Sequence, residues 1–308
     1  MHWVLIFLRG MMMGAADIVP GVSGGTIAFI TGIYERLLSS INSVLPALRK
    51  LLQHRSIKQF FQEIDALFLL ILLSGILSSI FLLASFISEV IVSHPIPLWS
   101  FFCGLIAASV WIMGSSMGRW KSSEFIALVL GVGLAMFIAS GRFFSLEFNL
   151  LGAFISGFIA IFAMLLPGVS GSFLLLLLGT YTFILGSVKS FELSVLACFV
   201  LGCLLGLILG ARIIAHLLHL YRTICLSFLT GLMLGSIQKI WPWREVLSYR
   251  LNSKGENVAH LEGVLWPADY AQLVGDPQIG LATIWFVVGV GSISLILVVI
   301  NRLERNAN

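Results

Sequence analysis

Long apolar runs alternate with short polar interruptions along almost the whole chain. Runs near 65–91, 97–114 and 123–140, and again near 193–215, 223–240 and 280–301, are long enough to cross a hydrocarbon core of about 30 Å as helices. Two further apolar stretches are interrupted. One carries Pro20-Gly21-Val22-Ser23-Gly24-Gly25; the other, 147 residues later, carries Pro167-Gly168-Val169-Ser170-Gly171-Ser172. Proline removes an amide donor and clashes with the turn before it, and glycine opens the backbone to positive φ. Both stretches are therefore expected to be helices broken at the same place. An orphan polar group in hydrocarbon costs several kcal/mol, so broken backbone survives only where protein or a wet cavity surrounds it. Paired breaks at corresponding positions of two half-sequences point to a transporter's binding site.

The arms of each broken stretch are short for a bilayer. Residues 1–19 form one arm, with Arg9 and Asp17 in it, and Thr26 to Leu38 reads as the helix after the break. Segments 1–40 and 147–188 are thus expected to be re-entrant hairpins. Gly32 and Tyr34 match Gly179 and Tyr181 at the same offset; Phe101-Phe102-Cys103-Gly104-Leu105 matches Phe228-Leu229-Thr230-Gly231-Leu232, and Gly131-Val132-Gly133 matches Gly289-Val290-Gly291. Matches in shared order over so long a period indicate duplication of a whole membrane unit. The expected fold is an all-α polytopic membrane protein built as an inverted repeat, 1–145 and 146–308. Each half has one re-entrant helical hairpin and three transmembrane helices. Three crossings per half make the halves face opposite ways. The extra material is a polar loop at 46–64 and an insertion at 241–279.

Composition agrees. The chain is 59% hydrophobic and 10% charged, with mean hydropathy +1.04 and net charge +4. Arg49, Lys50, His54, Arg55 and Lys58 crowd the 46–64 loop against Glu63 alone, which places it in the cytoplasm. The 114–122 loop with Arg119 and Lys121, the 212–222 turn with Arg212, His216, His219 and Arg222, and the tail with Arg302 and Arg305 then fall on that side too. The 92–97 loop, without Lys or Arg, and the 241–279 insertion fall outside. Trp241, Trp243 and Trp266 suggest that the insertion packs at the membrane interface, as a lid or as a solvated decoration, with a turn at Asn252-Ser253-Lys254-Gly255. No basic run has interleaved aromatics, which argues against nucleic acid as a partner. Cys103, Cys198, Cys203 and Cys225 all lie in apolar runs without a C-x-x-C pair, so core packing is expected, not metal or disulfide chemistry. Arg9 follows the short apolar run Trp3–Leu8, unlike a signal peptide, so the segment is expected to be retained.

The breaks carry the candidate chemistry. Ser23 and Ser170 are placed to cap the half-helices that follow. A helix N-terminus attracts anions with roughly half a positive charge, so two together fall short of a phosphate, and a side-chain cation should help. Arg9, Arg36, Arg142 and Arg212 are the candidates. Arg36 stands beside Glu35, with Asp17 at the end of the preceding arm. Their counterparts in the second half are Met164, Thr182 and Phe183, so the ionisable set belongs to one copy. Charges within a membrane are functional by default, although Glu35-Arg36 could also sit at the cytoplasmic surface. Two rival readings stand beside a lipid carrier: a small-ion or small-anion transporter or channel of the same architecture, and an intramembrane serine hydrolase using the Gly21-Val22-Ser23-Gly24-Gly25 string. The hydrolase needs a base near Ser23, and the nearest histidines in spans, His216 and His219, are expected at a membrane face.

Gly14-Ala15-Ala16-Asp17-Ile18-Val19-Pro20-Gly21-Val22-Ser23-Gly24-Gly25-Thr26, followed by Gly32-Ile33-Tyr34-Glu35-Arg36, resembles the signature of the polyprenyl-phosphate transporter family, formerly a domain of unknown function. The resemblance implies a transporter and not an enzyme. It implies translocation of undecaprenyl phosphate across the bacterial cytoplasmic (inner) membrane, for carrier-lipid recycling in cell-envelope synthesis. It also implies that Asp17, Ser23, Gly24, Gly25, Thr26, Glu35 and Arg36, with Ser170, Gly171 and Ser172, line the substrate region. The partner is then a polyprenyl-phosphate lipid, with no metal or cofactor. Asp17 and Glu35 are candidates for proton or sodium coupling, and Arg9, Arg142 and Arg212 are further candidates for phosphate contact.

Overall fold

The computed structural model describes residues 2–18, 23–54, 56–118, 120–139, 146–171, 174–175, 178–251 and 257–305. Pro20, Gly21 and Val22 of the first break, Arg119, Arg142, Ser172, Phe173 and the 252–255 turn lie outside the described residues. The chain runs α1 (His2–Ile18), α2 (Gly24–Ile30), α3 (Tyr34–Asn42), α4 (Val44–His54), α5 (Ile57–Glu63), α6 (Ala66–Ser93), α7 (Pro95–Ser116), α8 (Ser122–Ala139) and α9 (Leu150–Met164). It continues through α10 (Tyr181–Lys189), α11 (Leu193–Leu220), α12 (Arg222–Ser236) with a 3₁₀ turn (Ile237–Ile240), β1 (Arg244–Leu251), β2 (Asn257–Val264), α13 (Pro267–Leu273) and α14 (Ile279–Arg305).

Among the described residues five helices are long and apolar enough to cross a membrane: Ala66–Leu83, Pro95–Ser115, Ser122–Ala139, Leu193–Leu220 and Arg222–Ile240. The apolar stretches of α9 and α14, Leu150–Met164 and Ile279–Leu295, are shorter. The chain is a polytopic, mainly helical membrane protein. Leu70, Phe81, Leu130 and Leu201 point out of the spans and are exposed, as expected of faces solvated by lipid.

Four close helix crossings hold the bundle: α1 on α6, α9 on α11, α7 on α14 and α8 on α12. Lipid supplies no hydrophobic drive between helices, so close approach relies on small residues. A Cβ at Gly10 would strike the Leu72 carbonyl, and one at Gly75 that of Phe7. Gly157 and Gly202 stand in the same relation to Phe199 and Phe154. Gly104 and Gly289 abut the carbonyls of Phe286 and Phe101; Gly231 and Gly131 abut those of Leu128 and Phe228. At the offsets of the matching sequence blocks, Gly10 corresponds to Gly157, Gly75 to Gly202, Gly104 to Gly231 and Gly131 to Gly289. The same four contacts are therefore made twice.

Three expectations need correction. Thr26–Leu38 is not one helix. α2 ends in a Schellman cap, with Ile33 N–H on the Ala28 carbonyl and Gly32 at φ 75°, and α3 starts anew. Gly179 at φ 74° ends the corresponding turn ahead of α10 in the same way. A residue with a Cβ resists that conformation, so these glycines are terminators where apolar continuity alone predicts one helix. The 46–64 segment is helical, forming α4 and α5, with the Ser56 hydroxyl accepting Gln59 N–H at 3.4 Å. The 241–279 insertion holds an antiparallel pair, β1–β2, so the chain is not wholly α. That insertion is anchored by aromatic contacts. Trp241 lies 5.5 Å from Trp243 and 6.0 Å from Trp266 between ring centres, and Arg244 lies over Trp99 of α7 at 4.6 Å.

Candidate functional site

The first break is held by its own side chains. Asp17, near the end of α1, accepts the Gly24 N–H on Oδ1 at 2.6 Å. Ser23 adopts the extended conformation of an N-cap, and its Oγ accepts the Gly25 N–H at 3.1 Å. These are amides that a helix start leaves without an internal partner. The sequence reading treats them as open to an incoming anion; in this structure a carboxylate and a hydroxyl of the chain itself fill the place.

The second break follows α9. The chain turns through Leu165–Val169, with Gly168 at φ 86°. Here the two breaks meet. Thr26 Oγ1 accepts the Gly168 N–H at 2.8 Å, and the Tyr34 hydroxyl donates to the Leu165 carbonyl at 2.7 Å. The Ser23 hydroxyl lies 3.5 Å from the Met164 carbonyl, a long contact, and a Cβ at Gly25 would stand 2.8 Å from that same oxygen. Thr26 is 0% exposed and Tyr34 2%. The described flank of the first break, Ser23 to Tyr34, is thus closed on the 164–168 turn. Ser170 is buried beside them, and with Gly168, Ser236 and Lys239 it borders a void of about 20 Å³. Gly171 packs toward the Ala160 carbonyl.

The charged candidates engage a different set of groups. Arg36 Nε donates to Asp65 Oδ2 at 2.7 Å, and its guanidinium lies 4.2 Å from the centre of the Phe68 ring. Glu35 takes the guanidinium of Arg222, from the start of α12, on both oxygens at 2.8 and 3.1 Å. Arg9 is buried in α1, whereas Arg212 is exposed on α11. Thus Ser23, Gly25 and Thr26 are brought against the 164–171 turn, with Asp17 and Gly24 bonded to each other at the first break, while Glu35 and Arg36 engage partners elsewhere.

Glu35, unlike Arg36, lines a cavity of about 710 Å³ between α3, α4, α5 and the α11–α12 turn. Glu35, Asn42, Lys50, Glu63, His219 and Arg222 supply its polar lining. Lys50 Nζ meets Glu63 Oε1 at 2.9 Å, and Asn42 Nδ2 donates to the Ala211 carbonyl at 3.2 Å. The sequence reading uses Lys50 and Arg222 only as topological charges and Tyr34 only as a marker of the repeat. Arg222 and Tyr34 find their partners 187 and 131 residues away along the chain, so no local signal could have paired them, whereas Lys50 meets Glu63 only 13 residues on. Among the described residues no group of three His, Cys, Asp or Glu side chains could hold a metal ion.

Residues 13–258 match the family described as undecaprenyl phosphate translocase-like. The chain is 48% identical over 278 residues, 90% of each chain, to a polyprenyl-phosphate transporter of Vibrio cholerae. It is 29% identical over 259 residues, 78% of this chain and 86% of the relative, to a polyprenyl-phosphate transporter of Staphylococcus aureus. No solved structure matches.

Proposed function

The chain belongs to the undecaprenyl phosphate translocase-like family, and from that premise we propose that it carries undecaprenyl phosphate between the leaflets of a bacterial cytoplasmic membrane. The observation that carries the proposal is the junction of the two breaks. Side chains of one, Thr26 and Tyr34, hold the backbone of the other at Gly168 and Leu165. Irregular backbone within a membrane protein is kept where it serves a site.

The finer architecture is part of the proposal. Two inverted halves are supported by the glycine contacts that recur residue for residue. Re-entrant arms are supported by length. α1 has 17 residues and α9 has 15, about 25 and 22 Å at 1.5 Å per residue, against a core of about 30 Å. The basic segments around α4–α5 and the α11–α12 turn border one cavity, and the charge bias of their loops assigns that side to the cytoplasm. The closed junction then forms the barrier and the cavity its cytoplasmic side. The α7–α14 and α8–α12 crossings lock the two halves together, so movement of the α1–α3 segment against the 164–171 turn parts the Thr26–Gly168 and Tyr34–Leu165 bonds and lets a head group through, while the polyprenyl chain stays in lipid beside the exposed apolar faces.

The reading is of a transporter and not an enzyme. The Ser23 oxygen caps the Gly25 amide, a structural task for the hydroxyl that a hydrolase would need as nucleophile. Asp17 and Glu35 are the proposed coupling residues for a proton or sodium gradient, because each is an acid tied to a group that must move: Gly24 at the break and Arg222 at the cavity. The test is a leaflet assay of undecaprenyl phosphate in liposomes with the purified chain. Translocation above empty liposomes, enhanced by a proton or sodium gradient, is expected. No translocation under either gradient would remove the function.

A further inference from the structure

Two ion pairs stand on the cavity wall, Arg222 with Glu35 and Lys50 with Glu63. Their side chains are open to water, 62% and 53% exposed in the first pair, 58% and 27% in the second. A carboxylate holds a cation only weakly in such a setting. Leu38, Pro46, Ala215 and Leu218 give the same cavity an apolar side. Its volume lies within the range of small-molecule sites, about 300–1,000 Å³. The wall is also wired to the break junction, for Glu35 directly follows Tyr34, whose hydroxyl ties α3 to Leu165.

We propose that this cavity is a binding site for a phosphate monoester with an apolar chain, in which Arg222 and Lys50 pass from their carboxylates to the phosphate oxygens. It rests on the transport reading above and gives the translocated head group a cytoplasmic landing place. Arg222 already presents two parallel N–H groups to an oxygen pair, the fork that matches phosphate as well as carboxylate. A phosphate monoester carries about −1.5 to −2 charge at pH 7 and so answers two cations at once, which neither glutamate does. The displaced Glu35 and Glu63 carboxylates turn to water, and salt screens them there. The first units of the chain lie on the apolar side. Return of the glutamates to their cations expels the phosphate, so the site exchanges its ligand, as a release station must.

The test is calorimetric titration of the full chain in nanodiscs with farnesyl phosphate, with inorganic phosphate and with farnesol. Farnesyl phosphate should bind more tightly than either control. Arg222→Gln and Lys50→Gln should each weaken it about tenfold, the loss of one charge-assisted contact. Glu35→Gln should tighten it several-fold, because the competing carboxylate is gone. If the Arg222–Glu35 pair is only a structural brace, Glu35→Gln and Arg222→Gln weaken binding alike, and that overturns the proposal. Equal affinity in all variants overturns it too, and equal affinity for inorganic phosphate overturns the lipid assignment. The leaflet assay separates this from the broader reading. Translocation by the wild type with unaltered binding in the variants sinks the cavity site alone, whereas absence of translocation sinks the function whatever the titrations give.

Discussion

Thr26 is fully buried, and its hydroxyl is the acceptor for an amide on the other half of the chain. Thr26→Val keeps the shape and leaves the Gly168 N–H without that acceptor. An unsatisfied buried donor costs about 1–3 kcal/mol, so the variant should melt measurably lower in detergent, while Thr26→Ser should stay near wild type. Equal melting of all three would deny the bond. Asp17 separates two roles in the same manner. Asp17→Asn keeps an oxygen for the Gly24 N–H and removes the charge; Asp17→Ala removes both, at about 1 kcal/mol for a lost cap. The expected outcome is a stable Asn variant whose transport no longer responds to the ion gradient, and an Ala variant that is also less stable. An unchanged gradient response in Asp17→Asn would remove Asp17 from coupling. At this scale Ser23 was legible, because a serine after Pro-Gly-Val and before two glycines reads as a cap. The partners of Thr26 and Tyr34 were not. They are 142 and 131 residues away along the chain, and no periodicity reports which groups meet across such a separation.

The helices show the same division between what a pattern reveals and what packing decides. The paired strings Gly131-Val132-Gly133 and Gly289-Val290-Gly291 were legible as a repeat. Which glycine of each string packs depends on the rotation of the helix about its axis, which composition does not encode. Gly131 and Gly289 lie against carbonyls of the facing helix, whereas a Cβ at Gly133 or Gly291 meets open space. Alanine at Gly131 or Gly289 should therefore cost about 1–3 kcal/mol through overpacking. Alanine at Gly133 or Gly291 should be neutral or slightly stabilising, since alanine is the better helix former. Thermal melting of the four variants checks this, and similar values for all four would contradict the crossings. The helices on either side of Gly32, and the turn that Gly179 ends ahead of α10, carry the opposite lesson. Apolar continuity hid two terminators that only the positive φ of each glycine exposes.

Among the described residues, five of the six expected spans and the ends of α1 and α9 at the two breaks were readable in advance from apolar run length and from the placement of Pro and Gly. The antiparallel strand pair of the insertion and the helices of the 46–64 segment were not, since short amphipathic stretches carry weak local signals. Sidedness has its own check. In a background free of the four cysteines, Gln62→Cys on α5 and Gln272→Cys on α13, both exposed, should react with an impermeant maleimide from opposite sides, position 62 only in inside-out vesicles. Reaction from the same side would contradict the inverted arrangement.

The central claim is that the head group passes where the two breaks meet. Photo-crosslinking of the reconstituted protein with a polyprenyl phosphate bearing a diazirine beside the phosphate, followed by peptide mapping, tests it most directly. Adducts on both residues 17–36 and residues 164–171, lost on competition with unlabelled lipid, are the predicted result. Adducts confined to the lipid-facing sides of α6 and α8 or to the 241–279 insertion would contradict it.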